Sequence, residues 1–499
     1  MRVLPRRTSG TRAHPAVRIG HNVSDAGGPP AARVPMLVNV PLLRTRRRRA
    51  WLLAAGVLMA LAIASPGAAQ LPRASVSAAA TPLATFEAAW QAIRETYVDD
   101  SWSDEDWERL HRRFRARAAD APDDAALRPV LRDLLAALGR SHFELLPGAL
   151  HDRVAASAGA QDAGDVGIEV TPLAGALVVS RVEEASSARQ QGVRPGWVIE
   201  ALDDLEAQQL SPGNVAEDPH AAFRLWATAT ALLRGPVGST VHLRLRDGSD
   251  RTIGLALARQ RQKGQPVKFG HLPTFFARLH TRSFPMARGG RVAYVRFNVW
   301  MTPIAAALDR AIAEARDADG VVLDLRQNPG GVLTMLMGVS GHFLNERVSL
   351  GTVRMRQSEL ELIANPRFVG PDGSATHPYG GKLAILVDAS SYSASEIFAG
   401  GMQAVGRARV FGTRSPGGAL PAMLRRLPNG DILEYAIGDF VTPGGHRIEG
   451  RGVVPDEIVP VTRAALLAGD DPPLSAALAW MAREMAVPPM AGAEGAATR

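Results

Sequence analysis

The second half of the chain alternates apolar runs with helical patterns, and this alternation limits the folds it can adopt. Strands are predicted at 291–299, 320–325, 382–388 and 408–412, and helices between them at 303–318, 332–343 and 394–405. A helix that connects two neighbouring strands makes those strands parallel. Residues 275–465 are therefore predicted to form an α/β core with a parallel sheet, and 466–499 a C-terminal helix and tail.

The chain is too long for a single hydrophobic core. Its 499 residues predict about three domains. In residues 82–150, Phe86, Trp90, Ile93 and Tyr97 recur at helical spacing, Ser103 can cap a second helix, and Gly139 ends a third. This region is predicted to be a small helical domain.

The N-terminal region has the pattern of an export signal. Arginines between Arg44 and Arg49 precede the apolar run "WLLAAGVLMALAIA" and the small residues before Ala69. We expect a signal peptide at 36–69, after a disordered leader or overlong start at 1–35. The protein is then periplasmic or secreted, or anchored to the membrane if the segment is retained. Much of the net charge of +8 lies in this region, so no nucleic-acid partner is predicted.

Residues 151–262 consist of short strand patterns and turns. The segment resembles a PDZ domain, from "DVGIEV" through "ARQQGVRPGWVI" to "LRGPVGSTVHLRL". The resemblance implies that a substrate's C-terminus adds as a strand, its carboxylate held at Val166, Gly167 and Ile168. The alternative is a module that only packs between its neighbours.

Two turns in the core can carry chemistry. One is Asn328-Pro329-Gly330-Gly331, whose glycines let the backbone approach a ligand. The other is the serine-rich stretch "SSYSASEI" after a predicted strand. Taken alone, this stretch favours a helix cap. Taken together, the two turns supply a nucleophile and two oxyanion donors.

The order of these motifs is similar to that of the S41 peptidases, which include the C-terminal processing and tricorn-like serine proteases. The resemblance spans 82–465 and rests on "NPGG", "SASEI" and "GVVPD" in that order. It implies that Ser393 is the nucleophile and that Ala394 and a glycine, Gly330 or Gly331, donate to the oxyanion. Ser390, Ser391 and Ser395 are then cap and turn residues.

One position departs from the C-terminal processing branch. That branch places a base lysine where this chain has Gly418, and no lysine follows Lys382. An arginine such as Arg414 cannot act as the base near neutral pH. An alanine at Gly418 should then be tolerated far better than one at Ser393 or His142, provided that the turn needs no positive φ there.

The tricorn-like branch instead uses a Ser-His pair and a glutamate. Ser141, His142 and Glu449 match them in order. The resemblance thus implies a histidine base oriented by Glu449 through Ser141. The alternatives are a structural histidine and a solvated glutamate.

These observations predict a multidomain α/β (α+β) serine peptidase with a helical domain, a PDZ-like domain and a crotonase-like S41-type core. Its substrates are expected to be peptides or unfolded protein termini, with no metal or organic cofactor; its oligomeric state is open. One alternative is a non-catalytic relative that binds peptides or apolar ligands. Another is a crotonase-like acyl-CoA enzyme, which the export signal and the PDZ-like segment disfavour.

Overall fold

A computed structural model describes residues 3–4, 81–98, 102–148, 163–210, 214–268, 274–287 and 289–486. These residues belong to one compact unit, which begins with strand β1 (Val3–Leu4). The predicted leader, the signal peptide and the tail beyond 486 lie outside the described residues. Within the described ranges, no helix has the length and apolarity that a membrane crossing needs.

Residues 81–148, the helical segment, form three helices and one strand. They are α1 (Pro82–Thr96), α2 (Asp104–Ala119), α3 (Asp124–Ala137) and β2 (Glu144–Leu146). Ser103 caps α2 through a capping box with Asp106, as its sequence position predicts. The apolar faces of the helices share a core with the β-hairpin that β2 joins.

Residues 163–268, the middle segment, contain an antiparallel sheet and one long helix. The first strands and the short helix are β3 (Ala163–Asp165), β4 (Ile168–Leu173), β5 (Ala176–Val182), α4 (Ser187–Gln190), β6 (Val198–Leu202) and β7 (Leu205–Glu206). The remainder are α5 (Pro219–Leu233), β8 (Arg234–Pro236), β9 (Thr240–Arg246), β10 (Thr252–Ala258), β11 (Gln260–Arg261) and β12 (Gln265–Val267). The main sheet has the order β10-β9-β6-β5-β4, so β4 is an edge strand beside α5.

The predicted α/β core is confirmed. After β13 (Phe275–Ala277), the core sheet contains β14 (Leu279–Pro285), β15 (Arg291–Phe297), β16 (Gly320–Asp324), β19 (Lys382–Val387), β20 (Arg409–Gly412) and β24 (Glu457–Ile458), in that spatial order. All neighbouring pairs are parallel except β14 with β15. The crossover helices are α6 (Ala305–Glu314), α7 (Leu333–Ser340) and α8 (Ala394–Ala404).

Both faces of the core sheet are covered. Val321 and Leu323 pack with the crossover helices, whereas Val322 faces Trp480 and Met481 of the C-terminal helix. Helices α9 (Arg463–Ala468) and α10 (Pro472–Ala486) end the described chain. A strand buried on both faces needs a continuous apolar run, which is why these strands are readable from sequence.

Two smaller sheets complete the core. Strands β17 (Val348–Arg354), β18 (Glu359–Ala364) and β23 (Asp439–Val441) form one, together with β1. The hairpin of β21 (Ala422–Arg426) and β22 (Ile432–Ala436) pairs with β2. This hairpin ties the helical segment to the core and brings residues 141 and 142 to the carboxyl ends of the parallel strands.

Candidate active site

The two predicted turns meet at one edge of the core sheet. The turn 325–331 follows β16 and the turn 388–392 follows β19, and these strands are adjacent and parallel. The backbone oxygen of Asn328 accepts hydrogen bonds from the Tyr392 N–H (3.1 Å) and the Ser395 hydroxyl (2.9 Å). Carboxyl ends of parallel strands are the usual position of α/β active sites.

Ser393 lies at the start of α8 in a strained conformation. Its φ is 54° and its ψ is −118°, a combination that residues other than glycine rarely adopt. Its N–H donates to a Glu396 carboxylate oxygen at 3.1 Å and to the Gly418 carbonyl at 3.0 Å. These bonds stabilise the strained backbone conformation. The positive end of the α8 dipole lies beside the serine.

The glycines of the first turn contact Ser393. A Cβ atom on Gly330 would lie 2.7 Å from the Ser393 Cβ and 2.9 Å from the Ala394 nitrogen, so only glycine fits. The Gly330 N–H donates to the Asn328 side chain at 3.0 Å. Within the described ranges, the N–H groups of Gly331 and Ala394 make no hydrogen bond. Of the two glycines, Gly331 is therefore the one whose N–H group can donate to an oxyanion.

Ser141, His142 and Glu449 come together, although Ser141 and Glu449 are 308 residues apart in the chain. The Ser141 hydroxyl lies 2.8 Å from a Glu449 oxygen and 2.8 Å from the His142 Nδ1. The N–H groups of Ser141 (2.9 Å) and Ala419 (3.0 Å) also donate to Glu449. Glu449 is only 7% exposed, so it is not a solvated loop residue.

These contacts fix the tautomer of His142. A carboxylate only accepts hydrogen bonds, so the single hydroxyl proton of Ser141 is donated to Glu449. The Ser141 oxygen must then accept from His142, which places the imidazole proton on Nδ1. Nε2 is left with its lone pair, as a general base requires.

The surroundings of His142 keep it neutral. Burial, together with the nearby His220, lowers the pKa of His142 to about 3. A histidine base acts only when neutral, so His142 is competent throughout the neutral pH range. Within the described ranges, no hydrogen bond yet joins it to Ser393. Such contacts often tighten only when substrate binds.

Tyr392 stacks on His142 and was not foreseen as a site residue. Its ring lies 5.0 Å from the imidazole at 19°, and 4.0 Å from the Phe223 ring of α5 at 13°. A Cβ atom on Gly418 would overlap the Tyr392 ring. The tolerance of alanine at Gly418 stays a prediction, and this overlap argues against it because the Tyr392 ring would have to shift.

Glu396 is a second residue that the sequence reasoning missed. Its carboxylate accepts from Ser393 N–H, the Ser415 hydroxyl (2.6 Å), Gly417 N–H (2.6 Å) and Gly418 N–H (2.9 Å). Burial raises the pKa of Glu396 to about 7, although these hydrogen bonds oppose the shift. Glu396 joins the nucleophile turn to the turn at Gly418. The S-x-x-E capping pattern beginning at Ser393 was the available signal.

The lysines of the chain lie away from the site. Lys382 is at the opposite end of β19 from Ser393 and pairs with Glu484 at 2.7 Å. Lys263 and Lys268 flank β12 in the middle segment. All three are in the described part of the chain, and none has a contact with Ser393 or His142 there. No lysine of this chain is therefore a candidate for the general base.

The predicted peptide-binding loop precedes edge strand β4. Val166 is fully buried and Ile168 is nearly so. The Gly167 N–H donates to the Asp165 carboxylate at 2.7 Å, so one predicted donor already holds an internal carboxylate. The middle segment also contacts the core, through Ser180 to Gln327 (2.8 Å) and Glu169 to Arg296 (2.8 Å).

Comparisons with known proteins agree with this architecture. Residues 291–459 match peptidase family S41, and residues 79–136 match the tricorn protease C1 domain. The carboxyl-terminal-processing protease of Picosynechococcus sp. is 26% identical over 379 residues, covering 74% of this chain and 82% of the relative. The chloroplastic carboxyl-terminal-processing peptidase 3 of Arabidopsis thaliana is 27% identical over 391 residues, covering 74% and 68%.

Solved structures show the same fold. The photosystem II D1 C-terminal processing protease has a TM-score of 0.53 and 24% identity, covering 76% of this chain and 94% of its own. Mature CPAF has a TM-score of 0.54 and 14% identity, covering 82% and 98%. The chain therefore carries an S41 peptidase domain at residues 291–459, and it is a serine peptidase similar to the carboxyl-terminal-processing proteases.

Proposed function

We propose that the peptidase uses Ser393 as nucleophile and His142 as general base, with Ser141 and Glu449 orienting the base. The observation that carries the proposal is the Ser141 hydroxyl, which bridges Glu449 and His142 at 2.8 Å on each side. The bridge leaves the Nε2 lone pair available for the Ser393 proton. A non-catalytic binding protein would have no use for this arrangement of buried polar groups.

The reaction proceeds by acyl transfer. Nε2 of His142 takes the hydroxyl proton as the Ser393 oxygen attacks the peptide carbonyl. The oxyanion that forms is stabilised by the N–H groups of Ala394 and Gly331, beside the start of α8. His142 then protonates the leaving amine, and a water molecule hydrolyses the acyl-enzyme with His142 again as base.

The substrates are peptides or unfolded protein termini, presented by the middle segment acting as a PDZ-like domain. The open edge of β4 supports strand addition, and α5 lies beside it. The relatives are named for carboxyl-terminal processing. The N-terminal pattern of arginines and apolar residues supports export to the periplasm or beyond, with retention at the membrane as the alternative.

Hydrolysis of an unstructured polypeptide tests the proposal, with Gly330→Val as the diagnostic variant. Valine would push on Ser393 and Ala394 and disfavour a φ of +98° at this position. We expect turnover to fall at least about 10²-fold, as on loss of one oxyanion donor.

Gly373→Val serves as the matched control. Gly373 also has a positive φ, of +82°, but no atom lies within 4 Å of its Cβ position. It should share the backbone strain without the loss of turnover. Unchanged turnover in a folded Gly330→Val protein would show that the 328–331 turn has no part in catalysis.

Peptide binding to the middle segment is predicted to need a free C-terminus. Peptides with a free apolar end should bind full-length Ser393→Ala protein more tightly than amidated ones, because amidation removes the carboxylate that the loop N–H groups hold. Asp165→Asn should widen this preference, since the Gly167 N–H now faces the Asp165 charge. Titration calorimetry measures both. Equal affinity for free and amidated peptides, with and without Asp165→Asn, would mean that the middle segment has only a packing role.

A further inference from the structure

We propose that Tyr392 is a positioning residue for the histidine base, and that Phe223 of the middle segment holds Tyr392 in place. The inference rests on the proposed function, in which His142 is the base. It adds a residue that the S41 motifs do not include, and it connects the middle segment physically to the catalytic histidine.

The first support is the ring geometry. The Tyr392 ring lies between two others, nearly parallel to both, at 5.0 Å from His142 and 4.0 Å from Phe223. The Nδ1 bond to Ser141 leaves the imidazole free to rotate about that contact. A flat ring packed on its face removes this freedom and holds Nε2 in one direction.

The second support is the relation between Tyr392 and Gly418. A side chain at 418 and the Tyr392 ring exclude each other, because a Cβ atom there would overlap the ring. The resemblance to the C-terminal processing branch implies that Gly418 stands at the position of that branch's base lysine. Tyr392 thus fills the space where that lysine would begin, and its ring packs against the histidine that takes over as base.

The third support is the chemical state of Tyr392. Burial raises the pKa of Tyr392 well above its ordinary value, and the nearby Glu396 and Glu434 raise it further. The phenol therefore stays in its neutral form. Its ring packs beside His142, which is only 9% exposed, and its hydroxyl is also within hydrogen-bonding reach of Ser141.

Phe223 makes the arrangement depend on the middle segment. It lies on α5, the helix beside edge strand β4, where a peptide would add. A shift of α5 on peptide binding would move Phe223 and be transmitted through Tyr392 to the base. Bonds from this segment to the core, among them those of Ser180, Glu169 and Glu183, limit how far it moves.

The test compares three Tyr392 side chains in the full chain. Tyr392→Phe keeps the ring and should retain kcat within about threefold, whereas Tyr392→Ala should lower kcat about 10–10²-fold with KM little changed, as expected for a misplaced base. Phe368→Ala, which removes a ring that is 53% exposed, is the control and should change neither constant. Rescue by phenylalanine separates positioning from general destabilisation.

A double-mutant cycle tests the contact with Gly418. Gly418→Ala should lower kcat because its Cβ displaces the Tyr392 ring, and it should have little further effect in the Tyr392→Ala background. Phe223→Ala should lower kcat by less than Tyr392→Ala, and Phe223→Tyr should restore it.

Two results would overturn the inference. One is a kcat in Tyr392→Ala equal to or above that of the wild type, which would mean that the ring is irrelevant or obstructs the site. The other is full additivity of Tyr392→Ala and Gly418→Ala. The proposed function fails differently, through activity that survives in Ser393→Ala or His142→Ala.

Discussion

Replacing Ser393 or His142 with alanine is expected to lower kcat/KM by about 10⁵–10⁶-fold, and the double variant should be little worse than either single one. The nucleophile and its base act as one unit, so removing the second after the first has little left to affect. Hydrolysis of an unstructured polypeptide, followed by mass spectrometry of the fragments, provides the rates.

His377→Ala is the matched histidine control, since His377 is exposed and remote from Ser393. It should retain wild-type rates. Hydrolysis that persists in His142→Ala but vanishes in Ser393→Ala would contradict the histidine assignment while sparing the serine. Lys382 could not be that base, because it is at the wrong end of β19.

Glu449→Gln is expected to lower kcat by about 10³–10⁴-fold with little change in KM. The glutamine amide can donate to the Ser141 oxygen, so the hydroxyl proton turns toward Nδ1 of His142. The imidazole proton then moves to Nε2, which is the wrong tautomer for a base. In the other orientation, the amide nitrogen of the glutamine faces the Ser141 N–H group. That N–H group then loses its acceptor.

Ser141→Ala tests the same bridge from the other side. It removes the hydroxyl between Glu449 and His142, and its effect should not add to that of Glu449→Gln. Circular dichroism melts of each variant check that the fold is intact. A Glu449→Gln enzyme with near-wild-type kcat would show that the carboxylate has no influence on the base.

The fold was readable from sequence where burial imposes a pattern. Strands β15, β16, β19 and β20 lie at the predicted positions because both of their faces are covered. The antiparallel strand β14 and the hairpin β21–β22 were not foreseen. β14 is largely exposed on its outer side, so its sequence carries little apolar signal.

The site was readable only in part. Ser393, His142 and Glu449 were identified through motif order, and their mutual geometry stayed unknown because local sequence carries no information about contacts between distant segments. Tyr392 was not identified as a site residue because its role depends on contacts with distant residues. These are Gly418, twenty-six positions later, and Phe223 in another segment.

The same limit applies to the surroundings of Gly418. A glycine at the position where the resemblance to the C-terminal processing branch implies a lysine suggests empty space when only the sequence is considered. In the folded protein, the ring of Tyr392 fills that space, and the Gly418 N–H also bonds to Glu396. A residue's surroundings decide what it tolerates, and here they come from three separate stretches of chain.

Labelling with a fluorophosphonate probe tests the central claim most directly. We expect a single adduct, mapped by peptide mass spectrometry to Ser393, that is absent in Ser393→Ala and forms far more slowly in His142→Ala, since the serine then has no base to activate it. An adduct on another residue, or labelling of Ser393 that proceeds equally fast without His142, would contradict the account.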